Sequence, residues 1–158
     1  DNVANRLMLE VHYYTPWVFC GMAEDTDWGK IAYFWGKDYH QEGSTRNYQV
    51  SGYATDEEEM DALFQKMHTK FVSKGIPVIL GEFGANRRSS LTGTDLTNHL
   101  ASRAYYLKTL VAKAKKYEIV PFYWDNGYIG DNTMALFKRI DCSVYDQQAL
   151  DALIEGAN

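Results

Sequence analysis

The feature that most constrains this chain is a unit used three times, in which an apolar strand gives way to a loop and then to a helix. The first strand covers Leu7 to Tyr14, and its helix runs from Asp56 to Ser73. The second strand is Pro77 to Glu82, with a helix over Thr97 to Tyr117. The third strand is Ile119 to Trp124, and a short helix from Asp146 to Glu155 closes the series. Strands that alternate with helices lie parallel, because right-handed crossovers carry the chain back over the sheet. The strands read as nearly continuous apolar runs, which implies cover on both faces. Three strands leave both edges and one whole face open. The closed arrangement of such units is the (β/α)8 TIM barrel, which takes about 250 residues; this chain has 158. The expectation is an α/β chain forming the last three βα units of one barrel domain, completed by an N-terminal part and with no separate second domain.

Local signals support these elements. Thr55-Asp56-Glu57-Glu58 has the capping-box pattern that opens a helix. Met60, Leu63, Phe64, Met67 and Phe71 then recur at helical spacing. Leu100, Ala104, Leu107, Val111 and Ala114 share one face of the second helix. The chain opens DNVANRLMLEVHYY, without an initiator Met or a signal peptide. The expectation is that processing has removed a preceding segment or that the chain is one piece of a larger unit.

Charge and composition exclude several classes. The net charge of −5, with no basic run, argues against a nucleic-acid or anionic-membrane partner. No apolar stretch approaches the roughly 20 residues of a membrane span. Cys20 and Cys142 lie far apart without C-x-x-C spacing and read as free and buried. His40, His68 and His99 lack metal-ligand spacing, and His68 reads as a solvated helix residue. There is no Walker A, G-x-G-x-x-G or G-x-S-x-G motif. No cofactor and no metal are expected.

The chemistry concentrates at the strand ends. In VILGEFGANR a single carboxylate, Glu82, stands where an apolar run finishes. It is either a catalytic acid or a structural one, capping a helix or pairing with Arg87 or Arg88. Alternation along a strand puts Glu10, His12 and Tyr14 on one face, Val78, Leu80 and Glu82 on another, and Val120, Phe122 and Trp124 on a third. If these faces point into a barrel, Tyr14, Glu82 and Trp124 converge at its C-terminal rim, with His12 one step below. An acid, a phenol, an imidazole and an indole around one mouth suit a sugar. Aromatic faces stack on a pyranose, and a carboxylate stabilises or attacks a developing oxocarbenium ion. The loop from Thr15 to Ala54 far exceeds the usual 12–15 residues or so and carries Trp17, Trp28 and Trp35. Each of these tryptophans is either a sugar platform or a packing anchor. Asp125 reads as a turn residue; Asn126 either bonds sugar hydroxyls or shares the turn.

Three segments in this order, HYYTPW, PVILGEFGA and PFYWDNG, resemble strands six to eight of glycoside hydrolase family five. The likeness is to its bacterial endo-β-1,4-glucanase and xyloglucanase branch, and it extends through VYDQQALDALI to the final helix. The resemblance implies that Glu82 is the nucleophile of a retaining enzyme, contacted by the Tyr14 hydroxyl. It implies that His12 helps hold the reacting sugar and that Trp124 stacks on it. The family's acid/base Glu belongs to an Asn-Glu pair on an earlier strand, and no Asn-Glu dipeptide occurs here. Glu10, lower on its strand than His12, is a poor substitute and is expected to be a buried acid paired with a base from the N-terminal part. The chain alone is then expected to be inactive, and a β-glucan substrate implies a secreted, cell-surface or periplasmic setting. The alternative is a non-catalytic carbohydrate-binding half-barrel.

Overall fold

The computed structural model describes residues 6–158. Its elements are β1 (Leu9–Tyr13), α1 (Trp17–Cys20), α2 (Asp56–Lys70), β2 (Val78–Phe83), α3 (Gly93–Lys116), β3 (Val120–Tyr123) and α4 (Gln147–Ala157). The strands form one sheet in the order β1-β2-β3, and both pairings are parallel. The threefold strand–loop–helix pattern is therefore present, within a partial α/β unit. Strand β1 is shorter at both ends than the expected Leu7 to Tyr14, and β3 lacks the expected Ile119 and Trp124.

The helices pack against one face of the sheet. Tyr13, Val78, Leu80 and Phe83 meet Met60 and Phe64 of α2, Tyr106, Leu107 and Leu110 of α3, and Ala149 of α4. Full burial of side chains of this size stabilises by about 1.5–3 kcal/mol each. Glu10, His12, Val120 and Phe122 lie on the opposite face and are exposed. The close approach of α4 to α3 requires Gly156, where a Cβ would stand 2.5 Å from the carbonyl oxygen of Lys108.

One register shift corrects the expected strand faces. Val11 pairs with Leu80, but the next residue, His12, pairs with Glu82, so Gly81 is an extra residue in β2. An inserted residue resets the period of two. Val78, Leu80 and Phe83 therefore enter the core, and Glu82 turns to the open face instead of sharing theirs. On β3 and just beyond it, Val120, Phe122 and Trp124 are all exposed, as alternation expects.

The helix boundaries also move. Thr55 caps α2 by accepting the Glu58 N–H at 3.2 Å, while the Glu58 carboxylate accepts the Ala54 N–H at 3.0 Å. The helix stops at Lys70, and a 3-10 turn over Val72–Lys74 ends at Gly75 with φ 78°. Helix α3 starts at Gly93, earlier than expected, and buries His99, Ser102 and Arg103 besides its aliphatic side chains. Leu100 and Ala104 are only half-buried. The long loop and α4 both pack on α3, so its buried surface is wider than the apolar stripe.

The loop itself is built in. Trp35 is buried, edge-on to Tyr106 at 5.0 Å, and its backbone N–H donates to Ser102 Oγ at 2.7 Å. It is a packing anchor and not a sugar platform. Cys20 is buried and free, and burial pushes its thiol up to about 12. Cys142 is also free but exposed, contrary to expectation, because its loop lies outside the core. His68 is half-buried and 3.4 Å from Glu118 instead of fully solvated, because Tyr117 packs against its ring.

Candidate active site

Glu82 reaches the open face at the carboxyl end of β2, and two side chains from β1 and its end meet it. The Tyr14 hydroxyl donates to Glu82 Oε2 at 3.0 Å. His12 Nδ1 stands 3.3 Å from the same oxygen. Both contacts converge on Oε2, and neither uses Oε1. Burial and the hydrogen bond to Glu82 hold the Tyr14 phenol above its ordinary range, so it stays a donor. Trp17 packs edge-on to Tyr14 with ring centroids 6.2 Å apart, which restrains the phenol.

Neither arginine pairs with Glu82. Arg87 lies 3.5 Å from Asp146 and over the Tyr145 ring. Arg88 is buried and donates to the carbonyls of Phe19 and Met22 and to Asn132 Oδ1, tying α1 to the loops beyond β2 and β3. Burial lowers its guanidinium to about 10.

Trp124 follows β3, and its backbone N–H donates to the Phe83 carbonyl at 2.9 Å, which fixes it beside the end of β2. Its side chain is 45% exposed. Trp17 and Trp28 are also exposed. Trp28 lines a separate loop cavity of about 390 Å³ with Val18, Ile31 and Tyr48. Asp125 forms the expected turn, accepting the N–H groups of Gly127 and Leu136. The side-chain carbonyl of Asn126 accepts from Met134 at 3.3 Å and Tyr128 at 3.4 Å, so that oxygen serves the loop.

Behind the site, Arg103 joins three elements. It donates to the Ala85 carbonyl at 2.7 Å, to Asp146 Oδ2 at 2.7 Å and to the Tyr123 hydroxyl at 3.2 Å. Sequence reasoning passes over this buried ion pair, because a helical arginine normally reads as solvated. It also passes over Tyr128, exposed two residues beyond Asn126; an aromatic after an Asp-Asn-Gly turn is the available signal. The Glu10 side chain is 63% exposed on the open face, 3.4 Å from His12 Nε2. Among the described residues no group of three His, Cys, Asp or Glu is arranged to hold a metal.

A carboxylate held by a tyrosine hydroxyl at the end of a parallel strand, beside exposed indoles, fits the class of glycoside hydrolases. Residues 1–130 match the family model of Cellulase (glycosyl hydrolase family 5), and the chain belongs to that family. It is 37% identical over 153 residues to Endoglucanase A of Paenibacillus barcinonensis, covering 96% of this chain and 34% of that protein. It is 35% identical over 162 residues to the xyloglucan-specific endo-β-1,4-glucanase of Bacteroides ovatus, covering 100% of this chain and 28% of that one. The family 5 xyloglucanase of Paenibacillus pabuli, solved with a ligand, superposes with a TM-score of 0.80 at 34% identity, covering 100% of this chain and 40% of that one. The chain thus spans about a third of the length of the curated relatives it matches.

Proposed function

We propose that this chain supplies strands six to eight of a (β/α)8 retaining endo-β-1,4-glucanase, as part of a single catalytic domain. The substrate is cellulose, mixed-linkage glucan or xyloglucan, and the setting is secreted, cell-surface or periplasmic. The observation that carries the reading is the pair of contacts from Tyr14 and His12 onto one oxygen of Glu82. They orient the carboxylate and leave Oε1 for the anomeric carbon.

Glu82 attacks that carbon, the bond to the departing sugar oxygen breaks, and a glycosyl-enzyme ester forms. The leaving oxygen takes a proton from a second carboxylic acid, supplied by the N-terminal part of the barrel. The resulting carboxylate then takes a proton from water, whose oxygen displaces Glu82 and releases the sugar. Tyr14 and His12 position Glu82, and Trp124 stacks on the reacting ring. Trp17, Trp28 and Asn126 are further candidates for sugar contacts. The exposed apolar face formed by Val120 and Phe122 supports completion by further barrel units.

The test is a 2-deoxy-2-fluoro-β-cellobioside with a good leaving group, applied to the complete enzyme. Label is expected on Glu82, and Glu82→Gln is expected to abolish turnover while retaining glucan binding. Label on any other residue overturns the assignment.

A further inference from the structure

We infer that the groove between α3 and α4 is a second, non-catalytic binding site for a β-glucan chain; the ligand class rests on the proposed function. Tyr39, Tyr105, Lys108, Gln148, Asp151 and Glu155 line the groove, which has a volume of about 350 Å³. It lies behind the active face. Tyr106, Leu107 and Leu110 of α3 are buried in the core against the sheet, whereas Tyr105 is half-buried and Lys108 exposed. Glu82 reaches the opposite face of that sheet, so the sheet and α3 stand between the two sites.

The aromatic wall of the groove is anchored in the core. Trp35 is buried 5.9 Å from Tyr105, and Tyr105 stacks on Tyr39 at 4.8 Å with 26° between the ring planes. Gly36 makes this stack possible. It holds φ 96°, and a Cβ there would stand 2.8 Å from Tyr105 Cδ1 and 3.3 Å from Tyr39 Cδ2. Its N–H donates to the buried Asp56 at 2.7 Å, and its carbonyl accepts the Tyr39 N–H at 2.9 Å. The facing wall is held by Asp146, which pairs with Arg103 and caps α4 at the Ala149 N–H. Lys108 and Glu155 pair at 2.8 Å, so their charges offset each other. Gln148 and Asp151 are exposed and bring an amide and a carboxylate. Paired charges, an amide and stacked phenol rings suit a neutral ligand rich in hydroxyls. A pyranose lays its C–H face on such a ring and its hydroxyls on the polar groups. A site outside the cleft raises the enzyme's effective concentration on a long polymer.

The test uses the complete enzyme, its active site blocked by a 2-deoxy-2-fluoro-cellobiosyl label, titrated with cellohexaose and followed by amide NMR. The Gln148 and Ala152 resonances are expected to shift and saturate. Tyr39→Ala is expected to weaken this binding roughly 2- to 10-fold, and Gln148→Ala by a similar factor. Gln148 is a surface residue, so its variant keeps the fold. Without the label, both variants are expected to keep kcat on a short chromogenic cellobioside and to lose rate on insoluble cellulose. Resonances of Gln148 and Ala152 that do not move with cellohexaose overturn the inference. So does an affinity at Ala152 that is the same in both variants as in the unaltered enzyme. A complete enzyme that cleaves no β-glucan overturns the proposed function instead, and the groove is still read from its own resonances.

Discussion

The Tyr14 hydroxyl sits 3.0 Å from Glu82 Oε2, joining two strand ends that are 68 residues apart in sequence. A hydrogen bond to a charged group contributes about 1.5–3 kcal/mol. Tyr14→Phe is therefore expected to lower kcat by roughly 10- to 150-fold, with KM little changed. Steady-state kinetics on a soluble glucan check this, and a change confined to KM would refute the positioning role.

Arg103 and Asp146 form a buried ion pair at 2.7 Å. Removing one partner strands the other charge, so Arg103→Met is expected to cost about 3–5 kcal/mol. Adding Asp146→Leu should recover much of that loss. Urea unfolding of the single and double variants measures it; purely additive losses would show that the pair is not coupled.

The tryptophans separate into two kinds. Trp35→Ala is expected to destabilise by about 3–5 kcal/mol through loss of core packing. Trp124→Ala should leave stability within about 0.5 kcal/mol and weaken glucan binding by roughly 2- to 10-fold. Calorimetric binding and thermal unfolding, run side by side, distinguish them.

His99 is fully buried, accepting the Arg88 backbone N–H at Nε2 and donating from Nδ1 to the Tyr33 carbonyl. Burial holds its imidazole down at about 4, from an ordinary 6.5. The folded state binds the proton less readily than the unfolded chain. This contribution is intact above pH 6.5 and is lost as pH falls from 6.5 toward 4, by about 3 kcal/mol in all. Unfolding measurements across that window, with the His99 resonance followed by NMR, check the sign. A His99 that titrates near 6.5 in the folded protein would contradict it.

Much of the candidate site is legible in the sequence because its signals are local. Glu82 at the end of an apolar run, His12 and Tyr14 two apart on one strand, and Trp124 before a turn are patterns of order and spacing. Simple alternation puts Glu82 on the wrong face, with Val78 and Leu80, because a bulge depends on the partner strand, where Glu10 crosses Gly81. Trp35 and Trp28 look alike in sequence, yet one fills the core and the other stays 67% exposed.

By itself, the sequence determined three parallel strand–helix units and the chemical groups at their ends, since periodicity and turn residues act over a few positions. Only the tertiary structure decided which groups meet. The contact of Tyr14 and His12 with Glu82, the Arg103 network and the burial of Trp35 each join segments far apart in the chain. Such contacts depend on register and packing, which no short window of sequence encodes.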